Sequence, residues 1–209
     1  MEALILVDLQ NDFLPGGALA VPRGDEVLPV ARRLIPRFEH VVATQDWHPA
    51  DHQSFATQHP GQSPGALVDL HGLPQVLWPD HCVQGSPGAR FAEELTLADA
   101  AVFQKGCRVD VDSYSGFFDN GRREATGLEA HLRERGVKTL AVLGLATDYC
   151  VRFTVLDALD LGFDIKLIVD GCRGVNLKPG DSEEALRAMA TAGAQLTNSA
   201  ELSRHTPQP

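Results

Sequence analysis

Short, unbroken apolar runs alternate along this chain with longer segments in which apolar residues recur every three or four positions. Ala3-Leu4-Ile5-Leu6-Val7 is the first such run and ends at Asp8. A continuous run of that length predicts a strand buried on both faces. A loop over Asn11 to Gly17 follows, marked by Pro15-Gly16-Gly17. Val27, Val30, Leu34 and Phe38 then fall at helical spacing, predicting a helix over 25–38 that opens near Asp25 and that Pro36 ends or kinks. Further strands are predicted over His40 to Thr44, Ala101 to Phe103 (ending at Lys105), Thr139 to Leu143 and Asp164 to Val169, with a weak sixth over Ala194 to Thr197. Glu124 to Arg135 predicts a helix capped by Gly136. Another is predicted over Val151 to Leu161, with Val151, Val155 and Ala158 on one face. Asp181 to Ala192 predicts a third, with Asp181 or Ser182 as cap and Glu183 and Glu184 in its first turn.

Apolar strands alternating with helices imply a parallel sheet covered on both sides. The expected fold is therefore α/β, a single-domain, doubly wound (Rossmann-like) parallel sheet of about six strands with helices on both faces. The domain is expected over residues 1–202. Within it, residues 49–90 are rich in Pro, Gly, His and Ser and lack periodicity, so they are expected to be an irregular insertion that serves metal and substrate. Residues 203–209 are expected to be a flexible tail.

Composition narrows the partners. The 209 residues, 44% hydrophobic and 22% charged, suit one large globular domain with a sizeable core. A net charge of −10 argues against nucleic acid or an anionic membrane surface as a partner. Cys82, Cys107, Cys150 and Cys172 form no CxxC pair, which suits free thiols in a reducing compartment. The start, Met1-Glu2-Ala3, has no basic region, the apolar run at 4–7 is too short for a signal peptide, and no run reaches membrane-span length. A cytoplasmic protein is expected.

The chemistry gathers at strand ends, where such sheets bind ligands. Asp8 ends the first strand, Asp46 and His48 follow the second, Lys105 the third and Cys150 the fourth. Cys150 sits at a strand-to-helix corner, in Gly144-Leu145-Ala146-Thr147-Asp148-Tyr149-Cys150, where free N–H groups and the helix dipole favour a thiolate. Asp8 can serve as its base and Lys105 as the stabilising cation. The plainer alternative is a sheet-edge ion pair beside an inert thiol. Asp46 and His48 point the same way from an extended segment, and His81 can complete a two-His-one-carboxylate set suited to Zn²⁺, Mn²⁺ or Fe²⁺, with His52 nearby. The alternative there is a run of surface-loop histidines. Phe13, Trp47, Trp78 and Tyr114 can wall a pocket for a flat ring, or can simply be core.

These residues fall in longer motifs. They are Val7-Asp8-Leu9-Gln10-Asn11-Asp12-Phe13, Thr44-Gln45-Asp46-Trp47-His48-Pro49, Trp78-Pro79-Asp80-His81-Cys82-Val83 and Phe103-Gln104-Lys105-Gly106. Asp112-Ser113-Tyr114-Ser115 and the stretch from Gly144 to Val151 complete the set. In these motifs, taken in order over nearly the whole chain, the sequence resembles the nicotinamidases (pyrazinamidases) among the isochorismatase-like cysteine hydrolases. The resemblance implies Asp8, Lys105 and Cys150 as the catalytic set and Asp46, His48 and His81 as ligands of one divalent metal ion. His52 is left unassigned, because its loop spacing differs from that of members using a further histidine. The resemblance also implies an oxyanion hole from the N–H groups of Ala146 and Cys150, with a cis peptide at Leu145–Ala146. Phe13, Trp78 and Tyr114 would pack around the ring.

The implied reaction is metal-assisted hydrolysis of nicotinamide, and of pyrazinamide, through a thioester on Cys150. Two alternatives stand beside it: a related small-amide hydrolase in which metal-bound water attacks, and a non-catalytic ring-binding protein on the same fold. The expected partner is a small-molecule substrate, and a homo-oligomer stays open.

Overall fold

The computed structural model describes residues 1–202. Its first half comprises β1 (Glu2–Val7), α1 (Val27–Leu34), β2 (His40–Asp46), the short strands β3 (Leu67–Leu70) and β4 (Leu73–Val76), and β5 (Ala101–Lys105). After these come α2 (Leu128–Glu134), β6 (Thr139–Leu145), α3 (Arg152–Asp160), β7 (Asp164–Arg173), α4 (Asp181–Ala192), β8 (Gln195–Thr197) and α5 (Ser199–Leu202). Six strands form one parallel sheet in the order β5-β2-β1-β6-β7-β8, while β3 and β4 pair separately.

Leu4, Ile5, Val7, Leu140, Val142 and Leu143 expose no more than 0% of their surface. Burial on both faces is why β1 and β6 read as unbroken apolar runs. Each such side chain taken from water contributes roughly 1.5–3 kcal/mol.

Strand order reverses between β1 and β6. The crossover through α1 leads from β1 to β2 on one side, and those through α3 and α4 lead to β7 and β8 on the other. Because parallel crossovers are right-handed, α1 and the α3–α4 pair fall on opposite faces. A crevice opens beyond the carboxyl ends of β1 and β6, where ligands bind in such sheets. The strands approach closely there. Val7 pairs with Gly144, whose φ is +138°, and a Cβ on Gly144 would lie 2.2 Å from the Val7 carbonyl oxygen. Only glycine fits.

Several boundaries differ from the sequence reading, each for a local reason. The helix expected over 25–38 is α1 flanked by 3-10 turns at Gly24–Glu26 and Ile35–Arg37, with Pro36 in the tightened end. The helix expected from Glu124 begins only at Leu128, after Gly127 at φ +90°. Glu124 instead pairs with Arg108, and Ala125 bridges to Phe118. β7 continues past Val169 to Arg173, and its register against β6 jumps from Leu167 to Cys172, so Asp170-Gly171 interrupts the apolar run without ending the strand. Inside 49–90 lies the β3–β4 hairpin, turned by His71 (φ +53°) and Gly72 (φ +85°). Positive φ at both turn residues is the geometry tight hairpins favour. Among the described residues, no helix is long and apolar enough to cross a membrane. The tail expected at 203–209 lies outside the described residues.

Candidate active site

Strand register builds the site before any side chain is considered. Thr44 pairs with Val7, next to Asp8, and Asp46 pairs directly with Lys105. Both strand pairs end at the crevice. Asp8 has φ +49° and no exposed surface. Its Oδ1 accepts from Thr44 Oγ1 at 2.6 Å, and its backbone N–H donates to the same hydroxyl at 3.2 Å. Lys105 Nζ lies 2.5 Å from Asp46 Oδ1, 2.9 Å from the Ser113 carbonyl, 3.4 Å from Cys150 Sγ and 2.9 Å from Asp8 Oδ2. An ammonium has three protons. Asp46, Ser113 and Cys150 take them, so Asp8 Oδ2 has charge attraction but no directed hydrogen bond. That oxygen is free to receive a proton. The carboxylates of Asp8 and Asp46 and the Cys150 sulfur each bring an atom within 4.8 Å of the others.

Electrostatics separates the two carboxylates. Burial raises Asp8 above the usual carboxylate value, with Lys105 pulling the other way and Asp46 adding to the rise. For Asp46 burial pushes up as well, but Lys105 and His48 overcome it and hold that carboxyl well below the usual range. Burial alone would lower Lys105, yet Asp46 and Asp8 hold it well above its ordinary value. Lys105 therefore pairs with both carboxylates and holds Asp46 the more closely. Of the two, Asp8 is the carboxylate whose surroundings favour a proton. Burial also pushes the Cys150 thiol well up, opposed by Lys105. Burial thus favours the thiol over the thiolate.

Cys150 lies within a π-helical turn, Thr147–Val151, which leads into α3. The Ala146 carbonyl accepts from the N–H groups of Tyr149 and Val151, both at 3.1 Å. Such turns recur at functional sites. The Leu145–Ala146 peptide is cis, as the resemblance implied.

Beside this group stand Asp46, His48 and His81. Carbonyls can only accept, so His48 donates from Nδ1 to Gly106 at 2.9 Å and His81 from Nδ1 to Pro79 at 2.7 Å. Each ring therefore turns an Nε2 lone pair toward Asp46 Oδ2, at 3.6 and 3.7 Å. Donors sharing one ion at about 2.0–2.2 Å stand roughly 3–4 Å apart. His48 Nε2 is buried and has no hydrogen-bond partner among the described residues. Burial would lower the His48 imidazole, but Asp46 raises it on balance, and a field that favours a proton there also favours a cation. The residues fit a divalent metal ion, with backbone carbonyls orienting both imidazoles. His52 differs. Its Nδ1 bonds Ser54 Oγ at 2.7 Å and its Nε2 faces the Val111 carbonyl at 3.3 Å, so neither nitrogen is free. Burial holds its imidazole down at about 4. His59 and His71 bond Gln53 instead.

A small pocket opens over Cys150, Ala146, Asp46 and His81, and its aromatic lining suits a flat ring. Phe13, Trp78 and Tyr114 line it as expected, whereas Trp47 packs against the core. Leu19, Asp112, Tyr149 and Val175 also line it and were not foreseen. Tyr149 meets Trp78 edge-on at 4.8 Å and Tyr114 at 5.4 Å. Gln75, on the unforeseen hairpin, donates to Asp112 Oδ2 at 2.9 Å and to the Tyr114 hydroxyl at 3.0 Å. Asp148 accepts the N–H groups of Val175 and Asn176 at 2.9 and 2.7 Å, which fixes Val175 in the wall.

Thr44 was missed as well, although a Thr at the end of the strand beside β1 was a usable signal. Thr44→Val keeps the shape but leaves Asp8 without its hydroxyl partner at both Oδ1 and N–H. The expected cost is about 1–3 kcal/mol, read as a lower urea midpoint. An unchanged midpoint would show that the hydroxyl contributes nothing.

The family model described as Isochorismatase domain matches residues 2–201. Over 200 residues the chain is 58% identical to the nicotinamidase of Escherichia coli (strain K12), covering 93% of each. A solved Acinetobacter baumanii nicotinamidase pyrazinamidase superposes with a TM-score of 0.93 at 44% identity, covering 96% of this chain and 97% of that one. The solved pyrazinamidase of Pyrococcus horikoshii in complex with zinc gives a TM-score of 0.77 at 40% identity, covering 94% and 98%.

Proposed function

The chain belongs to the isochorismatase family, and from that membership we propose that it hydrolyses nicotinamide to nicotinate and ammonia, and accepts pyrazinamide at the same site. The names of the similar E. coli and Acinetobacter proteins support the substrate. One observation carries the chemistry: Cys150 Sγ, Lys105 Nζ and the Asp8 carboxylate meet at the β1–β6 crevice, where Cys150 also lines the aromatic-walled pocket.

Asp8 Oδ2 takes the thiol proton as Cys150 Sγ attacks the carboxamide carbon. The N–H groups of Ala146 and Cys150 receive the developing oxyanion. The C–N bond then breaks as Asp8 returns the proton to the leaving nitrogen, so ammonia departs and a thioester remains on Cys150. Water gives a proton to Asp8 and attacks that carbonyl. The C–S bond breaks, nicotinate leaves and the proton returns to sulfur. Lys105 stays protonated throughout and compensates the charge passing between Cys150 and Asp8. Phe13, Trp78 and Tyr114 pack around the ring. Asp46, His48 and His81 would hold one divalent ion (zinc, manganese or iron), whose Lewis acidity would anchor the ring nitrogen. The zinc in the Pyrococcus relative supports this donor set, and four free thiols support a reducing cytoplasm.

Chelated protein is expected to lose ammonia release from nicotinamide and to regain it when a divalent ion is restored, with zinc, manganese and iron compared in parallel. The proposal falls if metal-replete protein forms no nicotinate.

A further inference from the structure

Asp12 takes no part in the chemistry above, yet each of its polar groups is used. It lies in the loop after β1, half-buried. Its Oδ2 accepts the Cys82 N–H at 2.7 Å, and its Oδ1 accepts the Ala18 N–H at 3.2 Å. Its backbone N–H donates to the Gly88 carbonyl, and its own carbonyl accepts from Leu19 N–H, both at 3.0 Å. One residue thus joins the pocket-wall segment bearing Leu19 to the residue that follows the metal donor His81.

Cys82 shows what the bond to Oδ2 achieves. Its φ is +47°, a region uncommon for a residue with a side chain. That conformation is held from both sides, by Asp12 at the N–H and by the His48 N–H at the carbonyl, 3.0 Å away. The chain therefore leaves His81 in a direction set by Asp12 and by the other histidine donor. Phe13, next to Asp12, places its ring edge-on to His81 at 5.6 Å. Gly88 makes room, since a Cβ there would lie 2.1 Å from Asp12 Oδ2.

We propose that Asp12 is a positioning residue that aims His81 through the Cys82 backbone and so sets the affinity of the Asp46–His48–His81 site for a divalent ion, while tying that site to the Leu19 wall. An aspartate is required because both oxygens accept. Asparagine offers one acceptor and would turn an amide N–H₂ toward a backbone N–H.

This inference rests on the metal reading above, and the test separates the two. Zinc affinity is measured by competition with a chromophoric chelator on the stripped full chain, beside the urea midpoint of the same stripped protein. Asp12→Asn is expected to weaken zinc binding roughly 10–100-fold, the usual effect of losing an outer-shell partner. Gly88→Ala, which crowds the carboxylate without changing charge, is expected to act in the same direction and serves if Asp12→Asn does not fold. A purely structural role would lower the urea midpoint and leave zinc affinity of the folded protein unchanged. Zinc binding within twofold of wild type in either folded variant overturns the proposal. If the unmodified chain binds no zinc, the metal reading fails and this inference falls with it.

Discussion

Cys150→Ala is expected to lower ammonia release from nicotinamide by at least ~10⁴-fold, a loss of about 5.5 kcal/mol of transition-state stabilisation. Among the residues lining the pocket, no other thiol or aliphatic hydroxyl can replace the sulfur. Asp8 and Lys105 converge on Cys150 Sγ, and with Ala there the proton has no donor and the acyl group no acceptor. Ring binding should survive, because the wall residues Phe13, Trp78 and Tyr114 and the Asp46–His48–His81 donors belong to other segments of the chain. Calorimetry with nicotinamide on the metal-replete variant should thus give affinity within a few-fold of wild type. Acid quench of the wild-type reaction should give protein heavier by the acyl group, mapped to Cys150. Turnover by Cys150→Ala at the wild-type rate would make Cys150 structural and move bond cleavage to another nucleophile.

How much of this was readable in advance follows from what each element buries. The strands carrying Asp8, Asp46, Lys105 and Cys150 are legible because both faces of the central ones are covered, which leaves unbroken apolar runs ending in polar residues. The β3–β4 hairpin was not legible. Leu67 is 69% exposed and Gln75 is buried, so its pattern opposes the usual apolar-in rule. Glu124 resembled a helix start because acidic residues favour that position, but Arg108 and the Phe118–Ala125 bridge hold it in a turn. His52 illustrates the limit of counting histidines. Its loop spacing left it unassigned, and the positions of Ser54 and Val111 show that its nitrogens are taken. Residues acting through backbone groups, such as Asp12 and Asp148, leave no periodic trace. Their partners lie on other segments, and no spacing along the chain encodes them.

Lys105→Met is expected to cost about 3–5 kcal/mol of stability in chelated protein, in addition to abolishing turnover. Methionine matches the aliphatic stem, so packing changes little and the loss is that of the ammonium. Lys105 is the cation beside both Asp8 and Asp46, each of which has under a tenth of its surface exposed. Removing one partner of a buried ion pair leaves uncompensated charge, which costs far more than the pair itself contributes. The pH dependence tests this cause against a packing defect. Lys105 is a lowering influence on both carboxyls, so in the variant burial raises them against less opposition, from Thr44 at Asp8 and from His48 and His81 at Asp46. A carboxyl raised in the folded state binds its proton more tightly there than in the unfolded chain, and folding then gains as pH falls. The deficit of Lys105→Met should therefore shrink as pH falls from 7 toward about 4, the ordinary carboxylate value. A packing defect would give the same deficit at every pH. Urea titrations of wild type and variant at pH 7.5, 6 and 5, using ~0.15 M salt throughout to fix screening, separate the two. A pH-independent deficit would remove Lys105 as the cation that keeps Asp8 and Asp46 charged side by side.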